Sequence, residues 1–214
     1  MSLRHWLVGA VSAATAVGLA APAASAAPAA PSLGTRSLAS VLAADGDTFD
    51  RNWYDYDILA QAVGAVLAAK PTSKVAVLAD GTVPLTAFLP NDRAFQVLAF
   101  DLTKRWPGSE QQTFTTLART VGIDAIESVL LYHVVPGATI DKQAAANADG
   151  AQLTTALGPT IGVRVLSRQL PLIVLRDKDP NDVNPIVNPF ALDINKGNRQ
   201  IAHGIVFVLR PADL

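Results

Sequence analysis

From Ile126 onward apolar positions recur at i, i+3, i+4 and i+7 through Val129, Leu130 and His133, the stripe of a helix with one buried face. Asp124 and Glu127 stand just ahead of it at the spacing of a capping box, which predicts a helix entry there. Pro136 disfavours helical backbone at Val135, and Gly137 supplies the positive φ of a sharp exit. Residues 130–140 therefore predict a helix-to-strand corner with His133 on its inner side. The same helical period runs through 55–69, where Ile58, Leu59, Ala62, Val63, Val66 and Leu67 share a side. Ser37 is placed to cap a short helix through Leu42, and Asn91 to cap another carrying Phe95, Leu98, Ala99 and Leu102. A further helix is expected over 113–121. The polar stretch 101–112, with Trp106-Pro107-Gly108, reads as a surface insertion.

Strand-like runs fall at 74–79 and 84–89, joined by the turn pair Asp80-Gly81, and then at 152–157, 161–166, 170–175, 190–194 and 205–209. Pro159, Pro171, Pro180, Pro185 and Pro189 punctuate the later ones. Helices gathered early and strands gathered late predict an α+β domain and not an alternating parallel sheet. There is no internal repeat.

Length and composition agree with this: 214 residues, 50% hydrophobic and 16% charged, are enough for one domain with a sizeable core. The first residues have the pattern of an export signal. Arg4 and His5 form a short basic start, 6–21 is apolar, and Ala24-Ser25-Ala26 is a small-residue cleavage site. Residues 1–26 are thus expected to be a signal peptide, 27–35 an Ala/Pro-rich leader and 36–214 a single domain, with no transmembrane segment after cleavage. Removing 1–26 takes Lys+Arg from 17 to 16 against 18 Asp+Glu, a net charge of −2. That balance argues against a nucleic-acid surface. The absence of cysteine excludes disulfides and thiolate metal sites, and no Asn-x-Ser/Thr sequon occurs, which fits a bacterial export product.

Little catalytic material remains. Beyond the signal there are two histidines, His133 and His203, and the chain has no Gly-x-Ser-x-Gly elbow, His-Glu-x-x-His pair, phosphate loop or dinucleotide fingerprint. His133 reads as a ring hydrogen-bonded inside the corner it holds, and Tyr132 as the better candidate for an outward contact. Asp177, Asp179, Asn181 and Asp182 alternate as calcium-loop ligands do, but Asp182 and Asn188 stand where an EF-hand has glycine and glutamate. A solvated loop is the favoured reading there. Trp53, Tyr54 and Tyr56, set among acids, are a glycan-stacking candidate weighed against the alternative that they seat the long helix on the core. No cofactor is expected.

Several stretches resemble one family. Pro84-Leu85-Thr86-Ala87-Phe88-Leu89-Pro90-Asn91-Asp92-Arg93-Ala94-Phe95 resembles the first signature of fasciclin domains, and Leu131-Tyr132-His133-Val134-Val135-Pro136-Gly137 resembles their Tyr-His motif. Thr154-Thr155-Ala156-Leu157-Gly158 is similar to the family's Thr-Leu-x-Gly strand and turn, and 198–211 to its closing signature. Departures are Val206, where the family usually carries an acid nearby, and Gly197-Asn198 in place of Asn-Gly. The resemblance implies a wedge of two small β-sheets flanked by several α-helices. It also implies a secreted or cell-surface adhesion module without enzymatic activity, meeting an envelope protein or glycan through Tyr132, His133 and Pro136. In animal members the Tyr-His region is associated with integrin binding; only the position carries over. Two other readings stand beside it: a hydrolase or small-ligand or glycan-binding protein with a helix-sheet pocket, and a self-associating structural envelope protein.

Overall fold

The computed structural model describes residues 32–46 and 48–213; the expected signal peptide and most of the leader lie outside them. The chain enters beside its own end. Gly34 donates its amide to Gly197 O at 2.8 Å and accepts from the Arg199 amide at 3.0 Å, so ordered pairing begins just inside the segment expected to be leader.

Helix α1 (Leu38–Asp45) starts at Ser37, whose hydroxyl accepts from the Ser40 amide, satisfying an otherwise orphaned donor. Helix α2 (Asp57–Ala69) buries Ile58, Leu59, Ala62, Val63 and Val66, the predicted side. Helix α3 (Asp92–Thr103) is capped by Asn91 through the Ala94 amide at 3.0 Å. Helix α4 (Glu110–Tyr132) is capped by Ser109 and interrupted at Gly122, whose φ of 79° and ψ of 170° leave helical space. A short α5 (Lys142–Ala146) follows, capped by Asp141.

Strands β1 (Leu85–Pro90), β2 (Val134–Pro136) and β6 (Gln200–Ile205) form one sheet in the order β2-β1-β6. β1 runs antiparallel to β2, with Thr86 opposite Val135, and parallel to β6, with Phe88 opposite His203. All six residues of β1 are buried, as a strand covered on both faces must be, and all but Thr86 are apolar. Strands β3 (Gln152–Thr154), β4 (Thr160–Ser167) and β5 (Leu172–Arg176) make a second, antiparallel sheet. Helices α1 to α4 pack on one side of the first sheet around Leu38, Ile58, Val66, Phe95 and Leu130, while α5 lies against β5. Phe88, Tyr132, Ile161, Ile173, Leu175 and Leu209 fill the space between the two sheets. The α+β expectation and the two small sheets agree with this architecture.

Several elements differ from the periodicity. Residues Lys74–Ala79 are a 3₁₀ helix and not a strand: Ser73 caps it, and Val75 and Leu78 reach the core at the three-residue spacing of that helix. The Asp124/Glu127 capping box does not form. The break comes at Gly122, and the Glu127 carboxylate is taken by Lys70 and the Ser73 hydroxyl. Of residues 101–112 the ends belong to α3 and α4, and only 104–109 form the short connection between them, with Trp106 stacked on Phe100 at 4.3 Å. The expected strand at 190–194 contributes one bridge, Ile194 to Ala202, and Phe190 projects into solvent. The last strand is 200–205, not 205–209, because its buried polar residues Gln200 and His203 hide it from a hydrophobic scan. Gly204 inside it is sterically required: a Cβ there would lie 2.7 Å from the Ala191 Cβ and from the Tyr56 hydroxyl.

Candidate functional site

The predicted corner exists, and its polar groups are spent internally. His133 ends α4 and is buried. Its Nδ1 lies 2.7 Å from Val129 O, and its Nε2 accepts from the Leu209 amide at 3.0 Å. One nitrogen must therefore donate and the other accept, which assigns the neutral ring with its proton on Nδ1. Burial pushes its pKa down to about 4, against the opposing pull of Val129 O. The backbone continues the tie: His133 O accepts from the Phe88 amide in β1 at 2.9 Å. One residue thus joins α4, the first sheet and the C-terminal segment.

Tyr132 is fully buried. Its hydroxyl donates to Thr160 O in β4 at 3.1 Å, linking the corner to the second sheet. Burial, with Asp177 adding to it, raises its pKa to about 12, so it remains a neutral donor. The expectation that Tyr132 faces a partner is corrected here: its ring fills the space between the sheets, where its large apolar area is worth most. Pro136 is exposed, beside Gly137 at φ 81°. The far end of the 130–140 stretch is held by the second histidine. His203 Nε2 donates to Ile140 O at 2.8 Å while Nδ1 accepts from the Asp193 amide, and burial lowers its pKa. Thr86 braces the middle, donating to Ala138 O and accepting from the Ile140 amide, both at 2.8 Å.

The other sequence candidates are not brought to this corner. Of the three rings at 53–56, only Tyr54 is exposed; Trp53 and Tyr56 are half-buried, and the Tyr56 hydroxyl packs toward Gly204. A two-ring stacking face is therefore not presented. The acidic loop already has its cation. The Arg210 guanidinium pairs with Asp179, Asp182 and Asp101, and its amide donates to Asp177 at 2.9 Å, which replaces the calcium reading by an internal ion pair. Asn181 is exposed, its amide donating to Asp179.

Enclosed space is small. A cavity of about 40 Å³ lies between α2, α3 and α4, lined by Ile58, Phe95, Phe114, Leu117 and Val129. Another of about 20 Å³ lies between the sheets beside Phe88, Val163 and His203. Ligand pockets run to several hundred Å³, so neither holds a substrate. A wider groove of about 720 Å³ is an open surface feature lined by Lys70, Thr72, Ser73, Glu127 and Leu157. Its Ser73 hydroxyl is committed twice, donating to Glu127 and accepting from the Val75 amide.

Two structural residues escape a motif scan. Gln200, fully buried, accepts from the Leu38 amide and donates to Val77 O and Asp80 O, each at 2.8 Å; Arg210 is the other. A third group is the acids Asp55, Asp92 and Glu110, of which Asp92 and Glu110 are legible only as first-turn helix acids and Asp55 only as a loop acid ahead of α2.

The family model described as Fasciclin domain matches residues 59–208. No curated protein matches the chain. Among solved structures, the FAS1 domain pair of the insect cell adhesion molecule Fasciclin I is 16% identical, with 70% of this chain and 45% of that one covered at a TM-score of 0.48. This chain therefore spans less than half the length of that relative. No helix among the described residues is long and apolar enough to cross a membrane.

Proposed function

Because the chain belongs to the fasciclin domain family, we propose that residues 36–214 are a secreted, non-catalytic interaction module that binds a cell-surface or envelope protein or glycan. The observation that carries it is the internal commitment of the corner: Tyr132 and His133 are buried and bonded within the fold. Recognition then falls to what the corner displays, namely Pro136 and its loop, and to the exposed apolar end of the β4–β5 hairpin, where Leu166, Leu170 and Leu172 meet solvent.

The test is capture from envelope extract by immobilised wild type and by a Leu170→Asp/Leu172→Asp variant that melts at the same temperature. The variant is expected to retain at least tenfold less of a discrete partner; equal recovery, or nothing held by the wild type, overturns the proposal. Turnover of esters or glycosides by the pure protein overturns its non-catalytic part. Export is tested separately: N-terminal sequencing of protein collected from the medium is expected to begin at Ala27.

A further inference from the structure

Three helices begin at one place with an acid in the first position: Asp57 opens α2, Asp92 opens α3 and Glu110 opens α4. Asp50 and Asp55 join them from the loop before α2. Asp55, Asp92 and Glu110 each place a carboxylate oxygen within 4.8 Å of the other two, and Asp50, Asp55 and Asp57 do the same. Asp92 and Glu110 are fully buried and Asp57 nearly so.

Their hydrogen bonding is half complete. Asp92 Oδ1 accepts from the Ile58 amide at 3.0 Å, and Glu110 Oε2 from the Asp50 amide at 2.6 Å. Asp92 Oδ2, Glu110 Oε1 and Asp55 Oδ1, all buried, receive no N–H or hydroxyl donor, and the Asp55 and Asp92 carboxyls lie close enough to share a proton. Among the described residues the ion pairs are made by Lys70, Lys104, Lys196 and Arg210, and none of these reaches the cluster. The helix N-termini contribute roughly half a positive charge each. That field eases the gathering of acids but supplies no donor to the bare oxygens, and a buried acceptor left bare is destabilising. Burial, and then the shared hydrogen bond with Asp55, raises the Asp92 pKa, while burial and the neighbouring carboxylates push Asp57 up to about 6 and raise Glu110.

We propose that Asp55, Asp92 and Glu110, with Asp57 beside them and Asp50 at the solvent edge, form a binding site for a hard divalent cation of the calcium type. Oxygen ligands at about 2.4 Å from one ion lie at most about 4.8 Å apart, which the two overlapping triads satisfy. The donors come from separate segments, two of them in an irregular loop. That irregularity suits the adaptable coordination of calcium better than the strict octahedron of magnesium. Asp50 is exposed and Asp55 half-buried, giving the ion a way in. The bound ion would staple the starts of α2, α3 and α4 to the loop ahead of them. The site rests on none of the residues assigned above to partner binding.

The experiment uses the full chain with calcium chloride as probe. After EDTA treatment, added calcium up to about 10 mM, the range in which extracellular modules bind it, is expected to raise the melting temperature by several degrees. Terbium luminescence sensitised by Trp53, two residues from Asp55, is expected to saturate at one ion per chain and to be displaced by calcium. Asp55→Asn and Glu110→Gln should each weaken both responses at least tenfold, while Asp182→Asn, in the loop neutralised by Arg210, leaves them intact. Asp55 is only half-buried, so its variant folds even if the Glu110 variant does not. Melting insensitive to calcium in the wild type overturns the site. So does a calcium response unchanged in Asp55→Asn. Stabilisation by acid alone, with no calcium response, would mean that the carboxyls share protons instead.

Discussion

Protonating His133 would place a second N–H against the Leu209 amide, which now donates to Nε2. The folded state therefore holds the neutral ring, with a pKa near 4 against 6.5 in the unfolded chain. A group with a depressed folded pKa of this kind gives stability that is fully present above pH 6.5 and lost as pH falls toward 4, because the unfolded chain takes the proton first. The window spans 2.5 pH units, 6.5 − 4, and is worth roughly 3 kcal/mol at most. His203 acts in the same direction, whereas the raised pKa values of Asp92 and Asp57 act in the opposite one. The prediction is thus a difference: urea denaturation at pH 7 and 4.5 is expected to show His133→Gln less stable than wild type at pH 7, with a gap that narrows at pH 4.5. Parallel pH profiles would refute the assignment. Burial of His133 was legible from its place on a helical stripe. The burial of Tyr132 was not, since one residue's turn about the helix axis points it at a sheet the period does not describe.

At the scale of elements, caps were the most legible feature: Ser37, Asn91 and the Pro136-Gly137 exit all act where the residue types predict. Gly122 matters differently. Its φ of 79° and ψ of 170° belong to a region that only glycine occupies without strain. The break falls inside the helix that packs against α2 and α3, ahead of the turns that carry Val129, Leu130 and Tyr132 into the interior. Gly122→Ala is expected to cost roughly 1–3 kcal/mol in chemical denaturation with little change in helical circular dichroism; a more stable variant would mean that a continuous helix is tolerated. Lys74–Ala79 and β6 were misread for one reason. Buried Gln200 fastens the 3₁₀ helix and α1 to the strand through its amide, so a polar residue does in the interior what apolar periodicity was expected to do.

Across the whole molecule the C-terminal segment closes the fold. Leu209 bonds to His133 across 76 residues, and Arg210 reaches Asp101 in α3 across 109. Arg210 has a side chain only 8% exposed, and the Asp179 side chain beside it is fully buried. Arg210→Met would leave that charge without its counterion. Breaking a buried pair from one side costs about 3–5 kcal/mol, so the variant is expected to melt well below wild type, and calcium is not expected to restore it. The sequence by itself determined what neighbours along the chain decide: the Ser37 and Asn91 caps, the buried stripes, the corner at Pro136-Gly137 and the motif order that marks the family. Only the tertiary structure decided that Tyr132 is interior, that Arg210 supplies the acidic loop's cation, and that the acids opening three helices meet. Periodicity reports residues within a turn or two of each other, whereas each of these outcomes depends on charges and cavities brought together from segments tens of residues apart.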